Sequence, residues 1–194
     1  MKEVSADVLR RCIQGDEEAA RKIFRAYERY VYALCLAFVQ DREEALDLCQ
    51  ESFLRLFRGL KDFDLDRPFK PWVRRVVINA CINYGRKRQT HPQVNRERDS
   101  EEREDAGPLS RLPARDAGPE ERLELQETMK EVRQLLKELP PEERLTLVLR
   151  HQEGLSYSQI AEVTGWPLGT VKTYLHRARK SIREKLVQLW GGHP

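Results

Sequence analysis

No apolar run in this sequence approaches the ~20 residues of a membrane-spanning helix, and the opening residues, Met1-Lys2-Glu3, begin no apolar signal segment. With both absent, a reducing cytoplasm is the expected location. Cysteine is scarce: Cys12, Cys35, Cys49 and Cys81 lie in the first half without CxxC spacing. That favours buried free thiols over a four-cysteine zinc site or a redox sensor. No glycine-rich phosphate loop occurs, no acidic cluster suits two-metal chemistry, and His91, His151, His176 and His193 lack metal-ligand spacing. The expectation is therefore no enzyme, no catalytic residue, no metal and no cofactor. Excess charge of one sign is also missing, the formal net charge being +3 with a pI near 8.7, so a diffuse polycation is excluded. Strand-like alternation of any length is absent as well, which leaves an all-α fold.

Helical periodicity is what the chain has instead. Ala20, Ile23, Phe24, Tyr27, Val31, Leu34, Cys35 and Phe38 recur at that spacing, and so do Ala45, Leu46, Cys49, Phe53, Leu56, Phe57 and Leu60. A third stripe, Phe69, Trp72, Val73, Val76, Val77, Ala80 and Tyr84, starts just after Pro68, which suits a first helical turn. Residues 1–90 thus read as one small helical domain. From 91 to 119, prolines 92, 108, 113 and 119 and glycines 107 and 118 punctuate a charged stretch with too few large apolar residues to form a core. This is a flexible linker, slightly acidic between basic flanks. Periodicity returns after Glu120 in Leu125, Met129, Val132, Leu135, Leu136 and Leu139; Pro140 and Pro141 stop that helix. Residues 120–194 form the second domain, and no further sensory domain is expected after its last helix.

Charge is distributed unevenly along this nearly neutral chain. Residues 74–88 carry Arg74, Arg75, Arg86, Lys87 and Arg88 and no carboxylate, and residues 164–187 carry six basic groups against Glu184 alone. Two local basic faces imply two phosphate contacts. The second face coincides with the most specific signal in the sequence. Ser156 and Gln159 make a capping box, with Leu155 and Ile160 as its hydrophobic staple. Gly165 is placed to end that short helix in the left-handed conformation. Trp166 and Pro167 turn the chain, and a longer helix follows. At ~100° per residue, Val171, Tyr174, Leu175, Ala178, Ile182 and Leu186 share one face. Lys172, Thr173, His176, Arg179, Lys180 and Arg183 share the other, with Arg177 at its edge. This is the form of a helix-turn-helix whose second helix enters a major groove.

The stretches Leu139-Pro-Pro-Glu-Glu-Arg144, Gly154-Leu-Ser-Tyr-Ser-Gln-Ile-Ala161 and Gly169-Thr-Val-Lys-Thr-Tyr-Leu-His-Arg-Ala-Arg179 resemble the promoter −35-binding domain of extracytoplasmic-function (group 4) sigma factors. Gly15-Asp-Glu-Glu-Ala19, Ala45-Leu-Asp-Leu-Cys-Gln-Glu-Ser-Phe-Leu-Arg-Leu-Phe57 and Arg67-Pro-Phe-Lys-Pro-Trp-Val-Arg-Arg75 resemble their core-binding and −10-binding domain. The resemblance implies a dissociable subunit that takes core RNA polymerase to promoter DNA and aids melting, with an anti-sigma factor as a family expectation. It implies polymerase docking through Asp47, Gln50, Glu51 and Leu54. Contact with the −10 element falls to Arg74, Arg75 and Asn79, with Phe63 stacking on an unstacked base, and contact with the −35 element to Lys172, Thr173, His176, Arg177, Arg179, Lys180 and Arg183. Ile78 and Ile82 are expected on the exposed side of the third helix. The linker is expected to thread the polymerase RNA exit path. The rival readings are a stand-alone helix-turn-helix regulator, which leaves the Asp47 and Asn79 faces without a role, and a nuclease or recombinase, for which no catalytic residues are present.

Overall fold

The computed structural model describes residues 4–90 and 134–190. Contacts divide the chain between Glu102 and Arg103 into two units, and all regular structure among the described residues is helical. The segment 91–119, read as a linker, and the stripe beginning at Leu125 up to residue 133 lie outside the described residues.

The first unit contains α1 (Ala6–Ile13), α2 (Glu17–Val39), α3 (Arg42–Gly59), a 3-10 turn (Leu60–Asp62) and α4 (Phe69–Thr90). Local chemistry sets most of the boundaries. Asp16 accepts from the amides of Glu18 (2.9 Å) and Ala19 (3.1 Å), and Asp41 accepts from that of Glu44 (2.8 Å), so each carboxylate occupies otherwise orphaned donors of a helix start. Gln40 ends α2 at φ 61°, and its side-chain amide donates to the Leu36 and Ala37 carbonyls at 3.0 and 3.3 Å. A non-glycine residue holds this left-handed position by supplying the missing donor itself.

The apolar stripes meet in one core. Ile23, Tyr27, Val31, Leu34 and Phe38 of α2 pack with Leu48, Phe53 and Leu56 of α3 and with Phe69, Val73, Val77 and Cys81 of α4, all buried. Burial of such side chains contributes about 1.5–3 kcal/mol each, far more than helix propensity does. Two stripe residues fall outside the core: Leu46 is 60 % exposed and Phe24 is 42 % exposed. Phe24 still meets Phe53 of α3, with 4.6 Å between ring centroids. Ile78 and Ile82, expected outside, are buried. The reason is that α4 packs against both α2 and α3, so residues on either flank of its apolar stripe are covered. Cys35, Cys49 and Cys81 are buried free thiols and Cys12 is half-buried. Burial pushes Cys49 up to about 12, and contact with Cys35 together with burial pushes Cys81 up, which keeps both protonated and unreactive.

In the second unit, helical residues 134–137 precede α5 (Pro141–His151), α6 (Tyr157–Thr164) and α7 (Leu168–Trp190). Pro141 occupies the first turn of α5, where a missing N–H costs nothing. Arg144 is buried, and its guanidinium donates to the carbonyls of Leu136 (3.0 Å), Lys137 (3.2 Å) and Leu139 (3.0 Å). A side chain of α5 thereby satisfies the carbonyl end of the preceding helical segment. Leu136 and Leu139 pack on Ala178 of α7, flanked by Leu147 and Ile182.

Candidate nucleic-acid interface

The turn between α6 and α7 forms as its residues dictate. The Ser156 hydroxyl accepts from the Gln159 amide (3.2 Å), while the Gln159 side chain accepts from the Ser156 amide (2.8 Å). Leu155 and Ile160 are buried as the staple requires. Gly165 lies at φ 72° and its N–H donates to the Ala161 carbonyl. Thr164 then fixes the exit: its hydroxyl donates to the Ile160 carbonyl (2.7 Å) and accepts from the Trp166 amide (3.3 Å). Trp166 meets Tyr174 edge to face at 5.2 Å, tying the turn to the first turns of α7.

On α7, Val171, Leu175 and Ala178 are buried. Lys172, Thr173, His176, Arg177, Arg179, Lys180 and Arg183, the residues expected to meet DNA, are all exposed. Thr173 donates its hydroxyl proton to the Gly169 carbonyl at 2.9 Å, so it can offer a partner a lone pair and its methyl group. Burial raises Glu143 above the ordinary carboxylate value, and the positive charge of Arg177 partly offsets that rise. Lys180 pairs with Glu184 at 3.8 Å. Arg179 turns back along its own unit, where it donates to the Tyr157 hydroxyl (3.2 Å) and approaches Nε2 of His151 (3.5 Å). Sequence reasoning missed Tyr157 and His151 as neighbours of this face. Their separation from Arg179 by 22 and 28 residues left no periodic signal to find them by.

In the first unit, the outward side of α3 carries Asp47, Gln50 and Leu54, all exposed. Glu51, expected among them, is half-buried and bound by Arg55 Nε at 2.8 Å. That hydrogen bond, followed by the charges of Arg55, Arg58 and Lys87, holds its carboxyl below the ordinary range. Leu46, assigned by periodicity to the core, belongs to this outer surface beside Gln50 and Leu54, at one- and two-turn spacing.

On α4, Arg75 and Asn79 are exposed, whereas Arg74 is half-buried with its Nε enclosed. Phe63, expected as a stacking surface for an unstacked base, is buried instead. Its ring centroid lies 4.9 Å from that of Trp72 and 5.3 Å from that of Phe69. A large ring beside two others gains more from burial and ring–ring contact than from solvent, so Phe63 anchors the loop before α4. Beside it, Lys70 lies 5.1 Å over the Tyr30 ring. No group of residues suited to a metal ion occurs among the described residues, and no described helix is long and apolar enough to cross a membrane.

Residues 23–91 match the family described as Sigma-70 region 2, and residues 129–182 match Sigma-70, region 4. The chain is 30 % identical over 176 residues to the ECF RNA polymerase sigma factor SigW of Bacillus subtilis (strain 168), covering 91 % of this chain and 93 % of that protein. It is 32 % identical over 190 residues to the RNA polymerase sigma-H factor of Pseudomonas aeruginosa, covering 96 % of each. Among solved structures, the sigma factor RpoE in complex with the anti-sigma factor NepR from Bartonella quintana gives a TM-score of 0.58 at 20 % identity, covering 86 % of this chain and 95 % of that one. CnrH in complex with the cytosolic domain of CnrY gives 0.56 at 21 %, covering 95 % and 97 %. These two likenesses speak for the fold.

Proposed function

The chain belongs to the extracytoplasmic-function RNA polymerase sigma factors, and we propose that its two units act as a docking and melting module and a −35-reading module of one dissociable polymerase subunit. It binds core RNA polymerase and directs it to promoters. The protein works by binding in the cytoplasm, without catalysis or a cofactor. The observation that carries the assignment is the capped α6–turn–α7 motif, whose second helix buries its apolar stripe and exposes seven polar and basic side chains.

The N-terminal helix of such a motif braces the second, whose first turns enter the major groove. Lys172, Thr173, His176 and Arg177 then meet base edges of the −35 element, where a bidentate arginine or lysine contact to guanine contributes about 1–3 kcal/mol of discrimination. In the first unit, Asp47, Gln50 and Leu54 dock on core polymerase, joined by Leu46. Arg75 and Asn79, with Arg74 behind them, meet the −10 element: an amide can read the edge of an unstacked base while arginines follow the phosphates. Because solved relatives include a sigma factor held by an anti-sigma factor, an anti-sigma protein is the proposed regulator here.

Reconstitution tests this function directly. The full chain added to core polymerase is expected to produce specific transcripts from promoters with matching −10 and −35 elements, and to bind duplex DNA poorly without core. Tight duplex binding by the free chain, with no association with core, would instead identify a stand-alone regulator.

A further inference from the structure

Every glycine among the described residues save one has a reason in the fold. Gly15, Gly154 and Gly165 take positive φ values of 90°, 68° and 72°. At Gly59 a Cβ would lie 3.4 Å from the Trp72 ring, and at Gly85 3.0 Å from the Phe38 ring. Gly169, the second residue of α7, has neither reason. Its backbone stays out of the left-handed region, and no atom stands within 4 Å of where its Cβ would be. Glycine is a poorer helix former than alanine, so nothing inside the unit favours it there. Leu168 beside it is equally out of place by the rules of packing. It opens α7 and is 43 % exposed, a large apolar side chain on a helix whose outer face is otherwise polar and basic. A bare backbone and an exposed leucine thus lie side by side at the start of the helix that the function sets in a groove.

We propose that Leu168 and Gly169 form a seat for the C5-methyl group of one thymine in the −35 element, so that the first turn of α7 selects that base by an apolar contact. Residues four apart share a helix face. Leu168 therefore stands in line with Lys172, and Gly169 with Thr173, the two residues that the proposed function sets on base edges. Such a helix meets base edges with its N-terminal residues, and these two are the first of α7. The seat is also chemically prepared. The Gly169 carbonyl already accepts the Thr173 hydroxyl proton at 2.9 Å, so an apolar group that comes to rest here strands no acceptor. What the turn offers outward at these positions is hydrocarbon, the leucine side chain and the glycine Cα. The thymine methyl is the one apolar group that the four bases present in the major groove. Absence of a Cβ at Gly169 lets the base edge come close to the helix backbone, a recurrent use of glycine at ligand contacts.

The inference rests on the promoter-binding function proposed above, and its test separates the two. Holoenzyme made from the full chain and core polymerase would select duplexes from a library randomised across both promoter elements. The selected promoter would then be resynthesised with deoxyuridine in place of each −35 thymine in turn, which removes the methyl group and keeps the base pair. Wild type is expected to bind one of these duplexes about fourfold more weakly, the worth of one buried methyl group. Leu168→Ala should bind the thymine promoter more weakly by about the same factor and be indifferent to deoxyuridine at that position. Gly169→Ala distinguishes contact from structure. Its added methyl meets no protein atom, so its melting temperature should equal or exceed that of wild type, while promoter affinity falls severalfold. A selected −35 element without thymine, or equal binding of thymine and deoxyuridine duplexes by wild type, would overturn the seat and leave the function standing. So would an undiminished deoxyuridine effect in Leu168→Ala, or wild-type promoter affinity in Gly169→Ala. A wild-type holoenzyme that selects no promoter would overturn the function and this seat with it.

Discussion

Arg144 shows what one side chain does when placed at a junction. Its guanidinium closes three carbonyls at the end of the helical segment before α5. Burial pushes it down to about 10, so it remains charged at neutral pH and its hydrogen bonds are charge-assisted. Arg144→Ala removes that donor set from a buried position and is expected to cost on the order of 2–3 kcal/mol. Urea unfolding of the full chain followed by far-UV circular dichroism would measure it, and an unchanged midpoint would mean that water replaces the guanidinium without loss. Asp16 makes a different residue-scale prediction, in pH. The amide of Ala19, then Arg11, holds its carboxyl below the ordinary 3.8. A carboxylate depressed in the folded state adds stability that is present above the unfolded value and lost as pH falls through the folded one. Asp16→Ala should therefore lower the melting temperature at neutral pH, and the difference from wild type should vanish in acid below the usual aspartate range. Melting curves from pH 7 down to pH 2 decide the point.

Among the elements, the α6–α7 turn depends most on backbone conformation. Gly165 sits at φ 72° with nothing within 4 Å of where a Cβ would be, so an added side chain meets no clash, and the cost of substitution is purely conformational. A non-glycine residue in the left-handed region pays roughly 1–2 kcal/mol, and asparagine tolerates it best. Gly165→Val should lower stability by at least that much and weaken −35 recognition, while Gly165→Asn should retain both, as read by thermal melting and promoter binding of the holoenzyme. Gly85 on α4 contrasts with it: a Cβ there would come within 3.0 Å of the Phe38 ring, so its constraint is the close approach of α2 and α4. Gly165 was legible in the sequence because its role is local. Gly85 was not, because Phe38 lies far away along the chain.

Taken as a whole molecule, the protein should divide its surfaces between stability and binding. Leu46 and Leu54 on α3 are 60 % and 46 % exposed, so truncating them removes little core packing. Leu46→Ala with Leu54→Ala is expected to leave the melting temperature nearly unchanged while weakening association with core polymerase, and Asp47→Ala with Gln50→Ala should do the same through lost polar contacts. Phe53→Ala, in the core a few residues away, should cost about 3–5 kcal/mol of stability. Wild-type affinity for core in both double variants would remove α3 from the docking surface. The sequence by itself determined where most helices begin and end, because Asp16, Asp41, the Ser156–Gln159 box and Gly165 act on amides and carbonyls within a few residues. It also determined the basic face of α7, because a period of 3.6 needs no partner to be read. Only the tertiary structure decided which flanks of each helix are covered. Ile78 and Ile82 are inside because α4 packs against both α2 and α3, whereas Leu46 of α3 is left exposed. It alone seated Phe63 beside the Phe69 and Trp72 rings and brought Tyr157 to Arg179, since such contacts depend on how the chain folds back on itself, which no periodic pattern encodes.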